Sequence, residues 1–356
     1  MTRFAVLVLI AALQLAFIIM TLVLLFVTRL RGSRWRARED DAQIALAEPL
    51  QRIMLGDDRG EALAAALGRL RRDAATREMI SIGGTRLSPE QRAGLALLVR
   101  HAPWVEQTLG QAPSRKWWKR MEAARLLVMV CEERDVDLVE RLVTDGHAAV
   151  ASAATGAIGG CANPSLVSAI VGGLPFRPGS VRLQQCNALR SHSALANDAV
   201  VVALSRPASV AQLRAWIQLA EVLATPDALA AVVPLASHAD RDVRTSAARA
   251  LRSCFSAEGA EAVSGLLKDE DWRVRAAAAR AVGALNVRGA IPMLSESMHD
   301  ESWWVRFRAG LALADLSMAG RAALEEAQGS PDPFARDMAT LVKGLSDGSR
   351  LDLTSA

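Results

Sequence analysis

Apolar residues along most of this chain recur at helical spacing, and that pattern itself recurs about every 31 residues. Val243-Arg244, Val274-Arg275 and Val305-Arg306 mark it most clearly. The same step backwards reaches Leu213-Arg214, Val181-Arg182, Val150 and Lys119-Arg120, and forwards it reaches Ala335-Arg336. The flanks repeat too: Ala247-Ala248-Arg249-Ala250-Leu251 becomes Ala278-Ala279-Arg280-Ala281-Val282. Within one period there are two apolar-periodic stretches, such as Gly259 to Lys268 and Trp272 to Leu285, joined by the polar turn Lys268-Asp269-Glu270-Asp271. Each period therefore predicts a helical hairpin. Self-similarity of this length marks a solenoid, in which a unit buries its apolar face only by stacking on its neighbours. No segment alternates with the period of a strand, so the expected class is all-α, with about eight or nine repeats.

The turns predict their own chemistry. Asp240, Asp271 and Asp300 precede second helices, where a carboxylate can accept free backbone amides and meets the positive end of the helix dipole. The arginine after each anchor is placed to pair with an aspartate of its own or an adjacent turn, which would make a ladder along the stack. Alanines in the second helices allow close approach. Gly172 to Gly179 replaces an ordinary turn and is expected to bulge as a loop.

Before the repeats the pattern changes. Phe4 to Val27 has only Gln14 and Thr21 as polar interruptions and no charge, which predicts a transmembrane anchor over 1–28. Its length, and the lack of a cleavage site before the arginines, disfavour a signal peptide. A basic segment, 29–40, follows with Arg29, Arg31, Arg34, Arg36 and Arg38. The positive-inside rule then puts the N-terminus outside and the bulk of the chain in the cytoplasm, on the inner membrane, with these arginines at the lipid surface. Residues 41–114 read as degenerate capping repeats, with helices over Asp41–Leu55 (kinked or restarted at Pro49), Leu63–Leu70 and Glu90–Arg100. The solenoid proper spans 115–346, and 347–356 form a frayed tail.

The stretch Asp271-Trp272-Arg273-Val274-Arg275 and the alanines after it resemble HEAT repeats, in the short variety named after phycobilisome lyases. The resemblance covers roughly residues 115–345 and implies an α-solenoid; HEAT arrays serve as scaffolds, adaptors and occasionally enzymes. The N-terminal anchor with its arginines and two Trp-Trp helices also looks like bacterial membrane-anchored HEAT proteins. Those are commonly encoded beside processive, polysaccharide-making glycosyltransferases. That likeness implies an accessory role in polysaccharide synthesis.

Charge narrows the partners. Residues 1–38 hold six arginines and no acid, leaving 36 basic and 38 acidic groups in the rest, a balance of −2. A solenoid without net positive charge of its own argues against nucleic acid. Cys131, Cys161, Cys186 and Cys254 show no pairing or metal spacing, and Cys161 and Cys254 fall where small apolar residues repeat. The five histidines are scattered; His238 and His299 stand in turns, where solvation or capping is the expectation. No cofactor, metal site or catalytic group is expected.

Tryptophan marks the candidate surface. Trp117, Trp272 and Trp303 stand two residues before an anchor, and Trp118 and Trp304 one before. Either each indole covers the preceding turn, or the rings face a partner together with Lys119, Arg120, Arg306 and Arg308, since aromatic and arginine side chains dominate binding hot spots. The expected function is a membrane-tethered scaffold that binds a membrane-associated protein such as a glycosyltransferase. The alternatives are a lyase-like or cofactor-binding HEAT protein and a homo-oligomeric structural element.

Overall fold

The computed structural model describes the backbone of residues 2–85, 87–346, 348–350 and 353, and side chains of residues 13–26, 29, 41–83, 87–346, 348–350 and 353. All regular elements among the described residues are helical. The chain divides into two compact units, residues 1–131 and 132–356.

The first unit contains α1 (Thr2–Leu55), α2 (Glu61–Arg69), α3 (Arg72–Thr85), α4 (Pro89–Val99), α5 (Pro103–Leu109) and α6 (Trp117–Val130). The last turns of α1 bury Ala42, Leu46, Leu50 and Ile53. Those residues share one helical face, and that stripe packs on α2 and α3. Pro49 neither ends nor restarts α1. Ser88 opens α4 with a capping box closed by Gln91.

The expected anchor does not hold, nor does the inner-membrane location built on it. Among the described residues no helix is long and apolar enough to cross a membrane. Arg29 is exposed, while Arg31, Arg34, Arg36 and Arg38 lie outside the residues with described side chains.

The second unit is a stack of helical hairpins. Helix α7 (Val136–Val143) leads into α8 (Ala148–Ala154) and α9 (Ile158–Cys161). The hairpins that follow are α10 (Pro164–Gly173) with α11 (Gly179–Leu189), α12 (Ser193–Leu204) with α13 (Val210–Leu223), and α14 (Pro226–Val232) with α15 (Arg241–Leu251). Then come α16 (Ala257–Gly265) with α17 (Trp272–Ala284), α18 (Ile291–Ser297) with α19 (Trp303–Leu316), and α20 (Met318–Gln328) with α21 (Pro333–Gly344). From α11 to α21 each second helix packs on the next. Val150, Val181, Val243, Val274, Val305 and Ala335 are each the third residue of a second helix and are buried. The 31-residue period is thus the spacing of identical insertion points into one continuous core. Small residues set the stacking distance: a Cβ on Gly283 of α17 would stand 3.0 Å from that of Ala312 on α19.

The stretch expected to bulge instead continues as helix. After α10 a 3-10 turn, Leu174–Phe176, buries Leu174 and leaves only Arg177 and Pro178 as a connector. Leu174 is apolar and has a core to enter, which outweighs the flanking glycines and prolines.

The turns are built alike. Asp145, His238, Asp269, Asp300 and Ser330, each five residues before an anchor, accept the backbone N–H two residues on. This is a local side-chain turn that the chain closes before each second helix starts. Asp240 and Asp271 then cap their helices through the amides of Asp242 and Arg273. Asp300 does not: Ser302 stands at the N-cap of α19, and Asp300 occupies the position of Asp269. The arginine after the anchor locks the turn. Nη1 of Arg244, Arg275, Arg306 and Arg336 each donates to the two carbonyl oxygens six and five residues before it.

Candidate partner-binding surfaces

The expected ladder exists, and it runs to the following repeat rather than within one. Nε and Nη2 of Arg244 donate to the two carboxylate oxygens of Asp269 at 2.7 and 2.9 Å. Arg275 repeats this on Asp300 at 2.6 and 2.9 Å. All four side chains are nearly buried. The carboxylates hold both guanidinium groups above the ordinary arginine range, as expected when paired charges leave water together. The next rung is open. Where an aspartate would stand, the chain has Ser330, and Arg306 lies with its guanidinium carbon 5.0 Å from the ring centre of Phe334. Arg306 is only 8% exposed, and its Nε has no acceptor among the described residues.

The tryptophan pairs keep open faces. Trp303 meets Trp304 edge to face at 4.9 Å and stacks on Phe307 one turn later, at 4.9 Å and 15°. Phe307 is buried, whereas Trp303 and Trp304 remain 43% and 52% exposed. The pair is held at its base and open at its rim, the geometry of a rigid aromatic contact. Trp117 and Trp118 also meet edge to face, at 6.4 Å, and are exposed, with the Lys116 ammonium 5.4 Å from the Trp118 ring. Trp272 sits at the edge of exposure with the Arg273 guanidinium 4.9 Å from its ring.

The basic residues predicted to flank these rings are placed otherwise. Lys119 and Arg120 are half-buried, and Arg120 donates to the carbonyl of Ser114. Arg306 serves its turn. Arg308 lines a different cavity and donates to the Leu353 carbonyl at 2.6 Å, burial pulling its pKa down. Sequence reasoning missed Phe334. It is exposed and stands one residue before its anchor, as Trp118 and Trp304 do, so the repeat phase alone could have found it.

Along the second helices run two open cavities. One of about 200 Å³ is lined by Arg280, Gly283, Ala284, Arg308 and Asp315 among others; another of about 340 Å³ is lined by Arg182, Arg214, Gln218, Glu221 and Arg249 among others. Reactive sulfur is not part of either. Cys161, Cys186 and Cys254 are buried, and burial pushes the Cys186 thiol up to about 12, which suppresses the thiolate a nucleophile needs. His238 accepts the Asp240 amide and His299 meets Asp332 at 3.0 Å. Among the described residues no group of three or more metal-ligating side chains gathers.

No curated protein matches the sequence. Among solved structures, the Escherichia coli protein YibA is 15% identical, with 80% of this chain and 96% of that one covered and a TM-score of 0.39. Kap121p bound to Pho4p is 12% identical, with 84% of this chain and 41% of that one covered and a TM-score of 0.48. Human deoxyhypusine hydroxylase is 18% identical, with 83% and 96% covered and a TM-score of 0.29. Residues 259–342, the span from α16 to α21 that holds the two closed rungs' carboxylates and the open one, match the family model for HEAT repeats, and the fold built around them is an all-helical, HEAT-like solenoid.

Proposed function

We propose that this chain is a protein-binding scaffold and not an enzyme, working through surfaces of its helical stack. The observation that supports this most directly is the Trp303–Trp304 pair, fixed at its base by Phe307 and open at its rim on a helix whose other residues are mostly core. Rigid aromatic rings give large contact area at low entropic cost, which is what a partner-binding hot spot requires. A polysaccharide-synthesising glycosyltransferase as the partner is the finer reading, and its support is the sequence resemblance alone.

The test is crosslinking in intact cells, affinity purification and mass spectrometry of the full chain, compared with Trp303→Ala/Trp304→Ala. One dominant protein partner, lost in a variant with unchanged thermal unfolding, is the expected result. An unfolded variant would return the indoles to a packing role. Recovery of the chain alone would favour self-assembly and overturn the reading.

A further inference from the structure

Four arginines gather on the second-helix face from α15 to α19. Arg249 of α15 and Arg280 of α17 occupy the same repeat position, six residues after their anchors. Arg252 and Arg308 stand nine and three residues after theirs, on the same helical face. The four guanidinium groups are close enough that Arg308, Arg252 and Arg249, after burial, disfavour the charge on Arg280. Two acids border them. Glu221 of α13 lies 3.7 Å from Arg249 and 3.5 Å from Arg252, and Asp315 lines the cavity with Arg280 and Arg308.

The floor between these arginines suits a polypeptide. Between Arg280 and Arg308 the cavity is lined by Gly283, Ala284, Leu311 and Ala312, mostly small apolar residues. Polypeptide backbone already touches it, since Arg308 holds the Leu353 carbonyl. Three packed helices at about 8–10 Å between axes span roughly 20 Å, the length of about six extended residues. Nucleic acid would need a longer basic stripe, and the chain beyond residue 38 carries a balance of −2.

We propose that the arginine-lined face of α15, α17 and α19 is a docking groove for a short acidic peptide segment of a protein partner. The proposal rests on the scaffold reading and names the chemistry of one of its contacts. Charge complementarity would set its encounter rate and salt dependence.

The experiment is fluorescence anisotropy of a labelled octaglutamate peptide with the full chain, against an octaserine peptide and a ten-nucleotide single-stranded DNA. Octaglutamate binding that weakens with salt and falls at least tenfold in Arg249→Glu/Arg280→Glu, but not in Arg141→Glu at an exposed position of the first helix α7, is the expected result. If charge reversal lowers the melting temperature, Arg249→Gln/Arg280→Gln replaces it, with a several-fold loss expected. Equal binding by wild type and variant, or tighter binding of the DNA, overturns the proposal. Crosslinking separates the two readings. A cellular partner retained by Arg249→Glu/Arg280→Glu sinks this groove and leaves the scaffold standing. Octaglutamate binding with no cellular partner for the wild type does the reverse.

Discussion

Two rungs of one ladder are closed and the third is open, although the three arginines occupy the same repeat position. Arg244, Arg275 and Arg306 clamp two turn carbonyls in the same way. The first two also receive a buried aspartate from the following repeat, and the third receives the face of Phe334. The contrast separates two jobs that a single arginine combines. Locking a turn is a local task that needs only neighbouring carbonyls, so it survives in every one of these repeats. Tying one repeat to the next needs a second residue about 25 positions away, so a single change to serine removes it.

Breaking a closed rung has the largest expected effect. Asp269→Ala leaves the nearly buried Arg244 with the exposed Glu270 as its carboxylate partner and also removes the turn bond to Asp271. A loss of about 2–3 kcal/mol in urea unfolding follows. Ser330→Ala, at the same position of the open rung, removes only a turn bond to the Asp332 amide and should cost about 1 kcal/mol or less. Equal losses in the two variants would show that the ladder contributes nothing beyond its turns.

Closing the open rung is the smaller, sharper test. In Ser330→Asp the desolvation of Arg306 is already incurred, so a carboxylate in reach of Nε should stabilise the fold by about 1 kcal/mol. The gain should vanish in the Arg306→Ala background, a double-mutant cycle that reports the pair alone. A gain that persists without Arg306 would assign the effect to the turn.

The smallest effect is one of pH. The Phe334 amide and then His299 hold the Asp332 carboxyl below the usual aspartate range. A folded value below the unfolded one contributes stability that is present above the unfolded value, about 3.9, and is lost as pH falls through the folded value. Asp332→Asn keeps a capping side chain but cannot titrate. Its urea midpoint should therefore fall less than that of the wild type between pH 5 and about pH 2; parallel curves would remove Asp332 from the acid limb.

The repeat spacing, the hairpin plan and the buried anchors were legible in the residues, because a stacked solenoid puts the same demand on the same position again and again. Asp240 and Asp271 could be read as caps for the same reason. Asp300 was misread because its local sequence is cap-like and only its distance to the anchor, five instead of three, sets its role. Phe334 was overlooked through comparing residue type rather than repeat phase. The N-terminal run shows the opposite limit: its apolar composition suggested a membrane span, and among the described residues no helix is long and apolar enough to be one.

What the sequence determined by itself is whatever repeats: helix class, period, core positions and the turn-locking arginines, each a short-range preference copied along the chain. The tertiary structure alone decided which arginine meets which aspartate, that Arg306 meets none, and that Arg249, Arg252, Arg280 and Arg308 share one face. Those outcomes depend on how successive helices lie against each other, and distances between helices are set by packing, not by spacing along the chain.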